Sequence, residues 1–487
     1  MAYRISKTDR SVVGEIVVPV SKSEAGRVAI INALRGIKQN SDCHASDTVK
    51  LQELLFSEEQ ILDAADGGTT ARFLMAYCVV KNKTAVITGS PRLRQRPMSD
   101  SVDLLRQIGA EISYLEEEGF LPIRVRAAKL NFPEVVQTSA EKSSQHISAL
   151  MMIAPLFGKD FTIELNGISS SLPYIELTAY LMHQAGVNVL ITENRIQING
   201  RYNNSILSAG GDWSAASYFF ETVALADDAD ITIKNLNIQS KQGDKIIVEM
   251  IKPFGVDTYV EKDKIILRKQ KKMVPDYFTQ SFLHFPDIVL SMATVCGGQN
   301  CKADLLHLHN LIIKESDRVS AFQREAYKLN IKTDFCGGSK LKILEESNLK
   351  PSKRILKTYN DHRLVMAFAP LALKTGELFL DDISGVSKSF PDYFEQMKSL
   401  GFNIEEVFLI ISCKQRSMDL HPTRIYIPEP TQACSCLSEL NFHYVLRMRH
   451  YDVVLHHLHQ HFCLLHKQHL CHHQQQHHVA AFLYVSF

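Results

Sequence analysis

Leu104-Leu105-Arg106-Gln107-Ile108-Gly109-Ala110-Glu111-Ile112 reads as the last turns of an amphipathic helix, a glycine stop and the opening of an alternating strand. The residue just past a helix tends to be left-handed, which glycine and asparagine tolerate best, so Gly109 marks a boundary. The same phrase returns at Leu181-Met182-His183-Gln184-Ala185-Gly186-Val187-Asn188-Val189 and at Met250-Ile251-Lys252-Pro253-Phe254-Gly255-Val256-Asp257. Tyr327-Lys328-Leu329-Asn330-Ile331 and Met397-Lys398-Ser399-Leu400-Gly401-Phe402-Asn403-Ile404 repeat it twice more. The stops Gly109, Gly186, Gly255, Asn330 and Gly401 therefore recur at intervals of roughly seventy residues, longer than usual solenoid repeats. This spacing predicts a repeated sheet-and-helix module, hence an α/β fold of small units grouped into domains. An earlier, trimmed unit is predicted before Arg72, where Leu51-Gln52-Glu53-Leu54-Leu55 begins a helix that no glycine-and-strand ending follows. Six units, the first abbreviated, account for the chain as far as residue 406.

A chain of 487 residues is too long for one core, so two or more domains are expected. Its formal charge of +1 gives no global reason to bind nucleic acid or an acidic membrane, and any anion preference must arise locally. The opening Met1-Ala2-Tyr3-Arg4 lacks a signal-peptide pattern, and the apolar runs 148–157 and 364–373 are about half the ~20 residues a bilayer requires. A cytoplasmic location, with no membrane and no nucleic-acid partner, is the expectation. Cys43, Cys78, Cys296, Cys301 and Cys336 are scattered without metal spacing and read as reduced thiols. Beyond residue 406 the repeat ends, and thirteen of the 20 histidines lie past Leu420, in runs such as His456-His457-Leu458-His459 and Cys471-His472-His473. Imidazole and thiolate bind zinc and copper, yet no finger spacing organises them. Residues 407–487 are thus expected to be a poorly ordered, His-rich extension, compatible with a shifted reading frame, and not a metal site.

Polar clusters fall between the repeat phrases. In Val17-Val18-Pro19-Val20-Ser21-Lys22-Ser23-Glu24-Ala25-Gly26-Arg27 a strand-like run meets a helix start, with Ser23 as the expected N-cap and Arg27 one turn in. Two cations, hydroxyls and a positive helix end favour a phosphate or carboxylate, although a solvated helix start explains the same residues. Asp66-Gly67-Gly68-Thr69-Thr70-Ala71-Arg72 is a glycine-rich turn entering a helix, without the Gly-Lys-Ser/Thr ending of a P-loop. Pro91-Arg92-Leu93-Arg94-Gln95-Arg96-Pro97 gathers three arginines in a loop, and Ser143-Ser144-Gln145 and Ser171-Leu172-Pro173-Tyr174 bring hydroxyl, amide and phenol groups to helix starts. Pro286-Asp287 and Lys314-Glu315-Ser316-Asp317-Arg318 set carboxylates beside cations, an arrangement shared by general acid–base pairs and ordinary surface ion pairs. Tyr359-Asn360-Asp361-His362-Arg363 and Ser387-Lys388-Ser389-Phe390-Pro391-Asp392-Tyr393 each open a helical stretch with a cation. Lys22, Arg27, Arg96, Lys314, Arg318, Arg363 and Lys388 occupy comparable points in successive units of a nearly neutral protein, which points to substrates with several negative charges. No nucleotide, flavin, pyridoxal phosphate or metal motif occurs in the first 406 residues, so cofactor-free acid–base transfer is expected.

Taken in order, Ser21-Lys22-Ser23 with Arg27, Gly68-Thr69 with Arg72, Arg96-Pro97, Ser143-Ser144-Gln145, Lys314-Glu315-Ser316-Asp317-Arg318, Asn360-Asp361-His362-Arg363 and Lys388-Ser389-Phe390-Pro391-Asp392-Tyr393 resemble the 5-enolpyruvylshikimate-3-phosphate synthase family. The resemblance implies a two-domain enolpyruvyl transferase fold, each domain built from three βαβαββ units. It also implies that the domains, 21–212 and 1–20 plus 213–406, close over the substrates, and nothing in the sequence demands more than a monomer. By the same resemblance, shikimate 3-phosphate would be held by Lys22, Ser23, Arg27, Ser143, Ser144, Ser171, Tyr174, Asn310 and Lys314. Phosphoenolpyruvate would meet Lys22, Gly68, Arg96, Gln145, Arg318, Arg363 and Lys388. Asp287 matches the proton acceptor from the 5-hydroxyl, Glu315 the proton donor to the enolpyruvyl methylene, and Lys22 joins them as a catalytic residue; no cofactor is implied. Val20, Gly67 and Gly26 depart from the usual glycine, alanine and asparagine, which bears on substrate fit and on response to phosphonates such as glyphosate while leaving the charged set intact. Two alternatives are the sister family that transfers enolpyruvate to UDP-N-acetylglucosamine, whose reactive Cys or Asp has no counterpart at Pro91-Arg92-Leu93, and a non-catalytic phosphometabolite-binding protein, which would have no reason to keep both Asp287 and Glu315.

Overall fold

The computed structural model describes residues 2–38, 42–139, 141, 143–167, 170–261, 264–408, 410–411 and 425–426. The chain divides into two units, Met1–Val407 and Phe408–Phe487. Of the second, Phe408 and the antiparallel pair Ile410–Ile411 and Ile425–Tyr426 are described, so the histidine-rich runs lie outside the described residues.

Within the first unit one sheet pattern is built five times among the described residues. Ile61–Asp63 pairs in parallel with Ala85–Thr88, which pairs antiparallel with Ile123–Arg126, which pairs antiparallel with Glu111–Tyr114. The helices Gly68–Val80 and Ser99–Arg106 make the connections, so the unit reads βαβαββ with sheet order first, second, fourth, third. Parallel neighbours cannot be joined by a tight turn, and the helix between them is the crossover such a pair requires. Val135–Ser139, Phe161–Asn166, Arg195–Asn199 and Asn188–Ile191 repeat the order, as do Tyr277–Ser281, Lys302–Leu306, Lys340–Ile343 and Thr333–Cys336.

The other two sheets borrow strands from the start of the chain. Ser11–Val17 is the first strand of a sheet otherwise made of Asp228–Lys234, Lys264–Lys269 and Val256–Glu261. Ala2–Ser6 is the fourth strand of the last sheet, lying between Glu377–Leu380 and Asn403–Val407, and the short strand Ile355–Leu356 flanks Glu377–Leu380 on its other side. The abbreviated first unit consists of the helices Lys22–Leu34 and Ser46–Leu55, with only the isolated bridge Val20–Gly211 near its entrance. Leu51 falls midway along the second of these helices, not at its start: the helix begins at Ser46, and Thr48, Leu51, Leu54 and Leu55 form its buried stripe.

All five predicted stops have left-handed backbone, with φ of +85° at Gly109, +87° at Gly186, +79° at Gly255, +62° at Asn330 and +81° at Gly401. Buried apolar side chains form two large clusters. One draws on residues from Ile5 to Val18 and from Trp213 to Phe402, the other on residues from Val28 to Leu207. The chain passes between the clusters at residues 18–21 and 209–213, where Ser21 N–H donates to the Gly210 carbonyl (2.7 Å) and Asp212 N–H to that of Pro19 (2.9 Å). A Cβ at Gly211 would stand 1.5 Å from the Asn235 carbonyl oxygen, so only glycine fits this crossing. Glu24 accepts from Gly210 N–H (2.7 Å) and the Gln242 amide (2.9 Å) beside it. Among the described residues no helix is long and apolar enough to cross a membrane.

Candidate active site

Seven of the described helices begin on the wall of one cleft that contains about 970 Å³ of empty space. They are Lys22–Leu34, Ser46–Leu55, Gly68–Val80, Gln145–Ile153, Leu172–Gln184, Arg318–Lys328 and His362–Phe368. Their unpaired N–H groups and partial positive charges converge, which makes the cleft attractive to anions before any side chain is counted. Ser21, not Ser23, caps the first helix: its hydroxyl accepts from Glu24 N–H (3.4 Å), while Lys22 N–H donates to Asp212 (3.3 Å). The Val20–Gly211 bridge ends the extended run early enough for the helix to start at Lys22, and this leaves Ser23 in the first turn on the cleft wall.

Two of the arginines here are held by neutral groups. Arg27, only 2% exposed, donates to the Thr178 hydroxyl (2.7 Å), the Ser148 hydroxyl (3.2 Å) and the carbonyls of Ser23 (2.8 Å) and Tyr174 (3.3 Å). Its guanidinium also lies 5.5 Å from the Phe73 ring centre and 5.7 Å from that of Tyr174. Burial pushes its pKa down to about 10. Arg72 donates to the carbonyls of Gly68 (2.9 Å) and Pro97 (2.7 Å), and burial together with nearby Arg96 lowers it to about 9. The Arg96 guanidinium packs on Gly68, where a Cβ would stand 2.7 Å from it. Buried cations without carboxylate partners are costly in a folded protein, and an anionic ligand is what compensates them.

The carboxylates are arranged differently. Asp287 accepts from the Tyr174 hydroxyl (2.6 Å) and pairs with Arg363 (2.9 Å) and Arg318 (3.4 Å). Burial alone would raise its pKa, but Arg363, Lys314 and Arg318 outweigh burial and hold it well below the usual carboxylate range. Glu315 pairs with Arg318 (2.6 Å), and against the same opposing burial Arg318 and Arg96 hold it well below its ordinary value. Arg318 thus bridges the two, and its own Nε is anchored by the fully buried Asp361 (2.9 Å). Asp361 also accepts from the Ser316 hydroxyl (2.9 Å) and from Arg363 N–H (3.0 Å), capping the helix that carries Arg363. Lys22 pairs with Asp47 at 2.5 Å; burial opposes its charge, yet Asp47 and Glu315 prevail and raise its pKa. Burial lowers the Lys314 pKa, and burial with Arg363 pushes His362 down to about 3, so its ring is neutral.

Of the residues singled out from sequence, Lys22, Ser23, Arg27, Gly68, Arg96, Ser143, Ser144, Gln145, Ser171, Tyr174, Asp287, Asn310, Lys314, Glu315, Arg318 and Arg363 share this cleft. Lys388 stands on the wall of an adjoining cavity, which Arg96 and Glu315 also line, and pairs with Asp66 (2.8 Å) and the Asn360 carbonyl (2.8 Å). The three arginines of 91–97 are not in a plain loop, since Pro91–Arg94 is a short helix capped by Ser90 (3.2 Å). Asp47, Arg72, Arg92 and Asp361 belong to the site although sequence reasoning gave them no role in it. Asp361 sits in the quoted Asn-Asp-His-Arg and was legible as a cap; Asp47 carries no signal beyond an acidic first turn. Among the described residues no group of three or more His, Cys, Asp or Glu is placed to hold a metal ion.

Two solved structures share the architecture. An EPSP synthase from Acinetobacter baumannii superposes with a TM-score of 0.64 at 18% identity, covering 83% of this chain and 100% of that one. The enolpyruvyl transferase NikO from Streptomyces tendae superposes with a TM-score of 0.63 at 13% identity, covering 83% and 98%. The fold is therefore that of the enolpyruvyl transferases, built on βαβαββ units. The profile of the family EPSP synthase (3-phosphoshikimate 1-carboxyvinyltransferase) matches residues 28–397. The 3-phosphoshikimate 1-carboxyvinyltransferase of Bacteroides fragilis is 34% identical over 411 residues, 83% of this chain and 99% of that protein. Its counterpart in Methanocaldococcus jannaschii is 32% identical over 430 residues, covering 82% and 98%. This chain belongs to the EPSP synthase family.

Proposed function

We propose that this chain transfers the enolpyruvyl group of phosphoenolpyruvate to the 5-hydroxyl of shikimate 3-phosphate and releases phosphate, a step of aromatic amino acid (chorismate) biosynthesis. The observation that carries this reading is Arg318, which bridges Asp287 (3.4 Å) and Glu315 (2.6 Å) inside a cleft where the buried Arg27 is held by neutral groups alone. In this reading Lys22, Ser23, Arg27, Ser143, Ser144, Ser171, Tyr174, Asn310 and Lys314 hold shikimate 3-phosphate. Lys22, Gly68, Arg96, Gln145, Arg318 and Arg363 hold phosphoenolpyruvate, and Lys388 reaches it from the adjoining cavity.

Asp287, ionised, takes the proton of the 5-hydroxyl as that oxygen bonds to C2 of the enolpyruvyl group, while Glu315 gives a proton to the methylene carbon. The tetrahedral intermediate then expels phosphate, which takes the proton from Asp287, and the methyl group returns one proton to Glu315. The products therefore carry every atom of the substrates. Developing charge on phosphate is met by Lys22 and the arginines, already in place. Glu315 is ionised while Arg318 and Arg96 face it; an arriving anion draws on those same cations, and the carboxyl then gains the proton it must donate. In this reading the two apolar clusters are the cores of lobes 21–212 and 1–20 plus 213–406, which close about the crossings at 18–21 and 209–213 and exclude water from the reacting anions. One chain supplies every group named, so a monomer is sufficient.

The test is phosphate release from phosphoenolpyruvate with and without shikimate 3-phosphate. Release should depend on shikimate 3-phosphate and fall by about 10²–10⁴-fold in Asp287→Ala and in Glu315→Ala. Full rates in both variants would sink the assignment. Tight binding of both substrates with no turnover in a well-folded chain would favour the non-catalytic reading.

A further inference from the structure

Arg92 lies in the short helix Pro91–Arg94, in the lobe that carries Gly68, yet its guanidinium reaches the other lobe. Nη2 donates to the Lys314 carbonyl (2.8 Å) and Nε to the Glu315 carbonyl (3.1 Å). These carbonyls belong to the segment between the strand Lys302–Leu306 and the helix Arg318–Lys328, and neither takes part in a helix or sheet ladder. Beside this contact, Lys388 crosses to Asp66 (2.8 Å), and Asp66 is also hydrogen-bonded to Ser90, the cap of the Arg92 helix. Arg92, Asp66 and Lys388 together line the adjoining cavity, of about 1050 Å³, whose wall shares Arg96 and Glu315 with the inner cleft.

We propose that Arg92 is a positioning residue: its guanidinium clasps the backbone at residues 314–315 across the cleft and so sets Glu315 against Arg318 when the lobes are closed. This rests on the enolpyruvyl-transfer reading of the site. A planar fork with donors on adjacent nitrogens matches two successive carbonyls, which a single ammonium does not. Because the grip is on main chain, its removal leaves the Glu315 carboxylate and its Arg318 partner chemically intact and alters only how often they are aligned. Shikimate 3-phosphate, held in the inner cleft mostly by residues of the lobe that carries Arg92, with Lys314 one contact among nine, should bind nearly as before.

The experiment is steady-state phosphate release by the full chain, Arg92→Ala and Arg92→Lys, with shikimate 3-phosphate binding and the melting temperature measured alongside. Loss of two hydrogen bonds that serve the closed state should lower kcat of Arg92→Ala by about ten- to a hundredfold, with affinity for shikimate 3-phosphate within about twofold. Arg92→Lys, with one donor position, should recover part of that loss. A kcat for Arg92→Ala within about twofold of the parent overturns the proposal. So does a kcat that falls only in proportion to the fraction unfolded. If the parent itself releases no phosphate, the functional reading has failed, and small-angle scattering with both substrates decides the clasp alone. A more open Arg92→Ala supports it, and equal radii of gyration overturn it.

Discussion

Gly68 is the residue whose side chain, or lack of one, shapes the end of the cleft that we propose takes phosphoenolpyruvate, since a methyl group there would stand 2.7 Å from the Arg96 guanidinium. The obstructed atoms end a flexible side chain, so Gly68→Ala should fold normally and displace Arg96. We predict that it raises KM for phosphoenolpyruvate about tenfold or more while KM for shikimate 3-phosphate stays within about twofold. Equal changes in the two constants, with both substrates varied, would contradict this. Glu315 offers a second measurement. In the free protein burial would raise its pKa, but Arg318 and Arg96 outweigh it and keep the carboxyl ionised. Ligand anions engage those cations, so the pKa must rise and a proton must be taken up at constant pH. Calorimetry of ternary complex formation near pH 7 in buffers of different ionisation heat should report net uptake, reduced in Glu315→Gln; equal uptake by both proteins would refute the assignment. The motif containing Glu315 was legible in sequence because Lys-Glu-Ser-Asp-Arg stands at a helix start. The direction of its ionisation was not, because burial opposes Arg318 there, and the fold adds Arg96, more than two hundred residues away, on the side of Arg318.

At the scale of elements, the helices Trp213–Leu225 and Val289–Gly298 pack around Glu221, a fully buried carboxyl that accepts from the Thr294 hydroxyl (2.7 Å). Burial pushes its pKa well above the ordinary value despite the Thr294 and Ser291 hydroxyls. The folded state then binds a proton that the unfolded chain has released, so stability falls as pH rises above the unfolded pKa and toward the folded one. Glu221→Gln removes that term, and its melting temperature should decline less steeply than the parent's between about pH 5 and 8. Parallel curves would show that Glu221 is already ionised. The helix stops were the most readable elements, because left-handed backbone at Gly109 or Asn330 is a local demand that the residue itself meets. Ser23 was misread as a cap because cap choice depends on where the preceding extended run ends, and the Val20–Gly211 bridge sets that from a distant part of the chain.

For the whole molecule, the strand Ala2–Ser6 is interior to its sheet, between Glu377–Leu380 and Asn403–Val407. Deleting residues 2–6 removes both ladders and, with them, the fully buried Ala2 and Ile5, so the last sheet and the helix carrying Arg363 should lose their cooperative melting transition and activity together. By contrast, a chain ending at Val407 keeps every paired strand and every site residue of its unit, and should retain kcat and melting temperature within error. Ending at Gly401 removes Asn403–Val407 and should not be tolerated. Calorimetry and the phosphate assay on these three chains distinguish the outcomes.

The sequence by itself determined the repeating helix–stop–strand unit, the cations at successive helix starts and the order of motifs that places the chain in its family. Each depends on periodicity, backbone preference or charge within a few neighbouring residues. Only the tertiary structure decided that residues 2–6 and 11–17 complete two different sheets, that Asp47 partners Lys22, that Asp361 anchors Arg318 and that Arg92 spans the cleft. Strand pairing joins hydrogen-bonding groups that look alike in every strand, and a buried charge takes its ionisation from whatever the fold brings within a few ångströms. Both are set by distance in space, which separation along the chain does not encode.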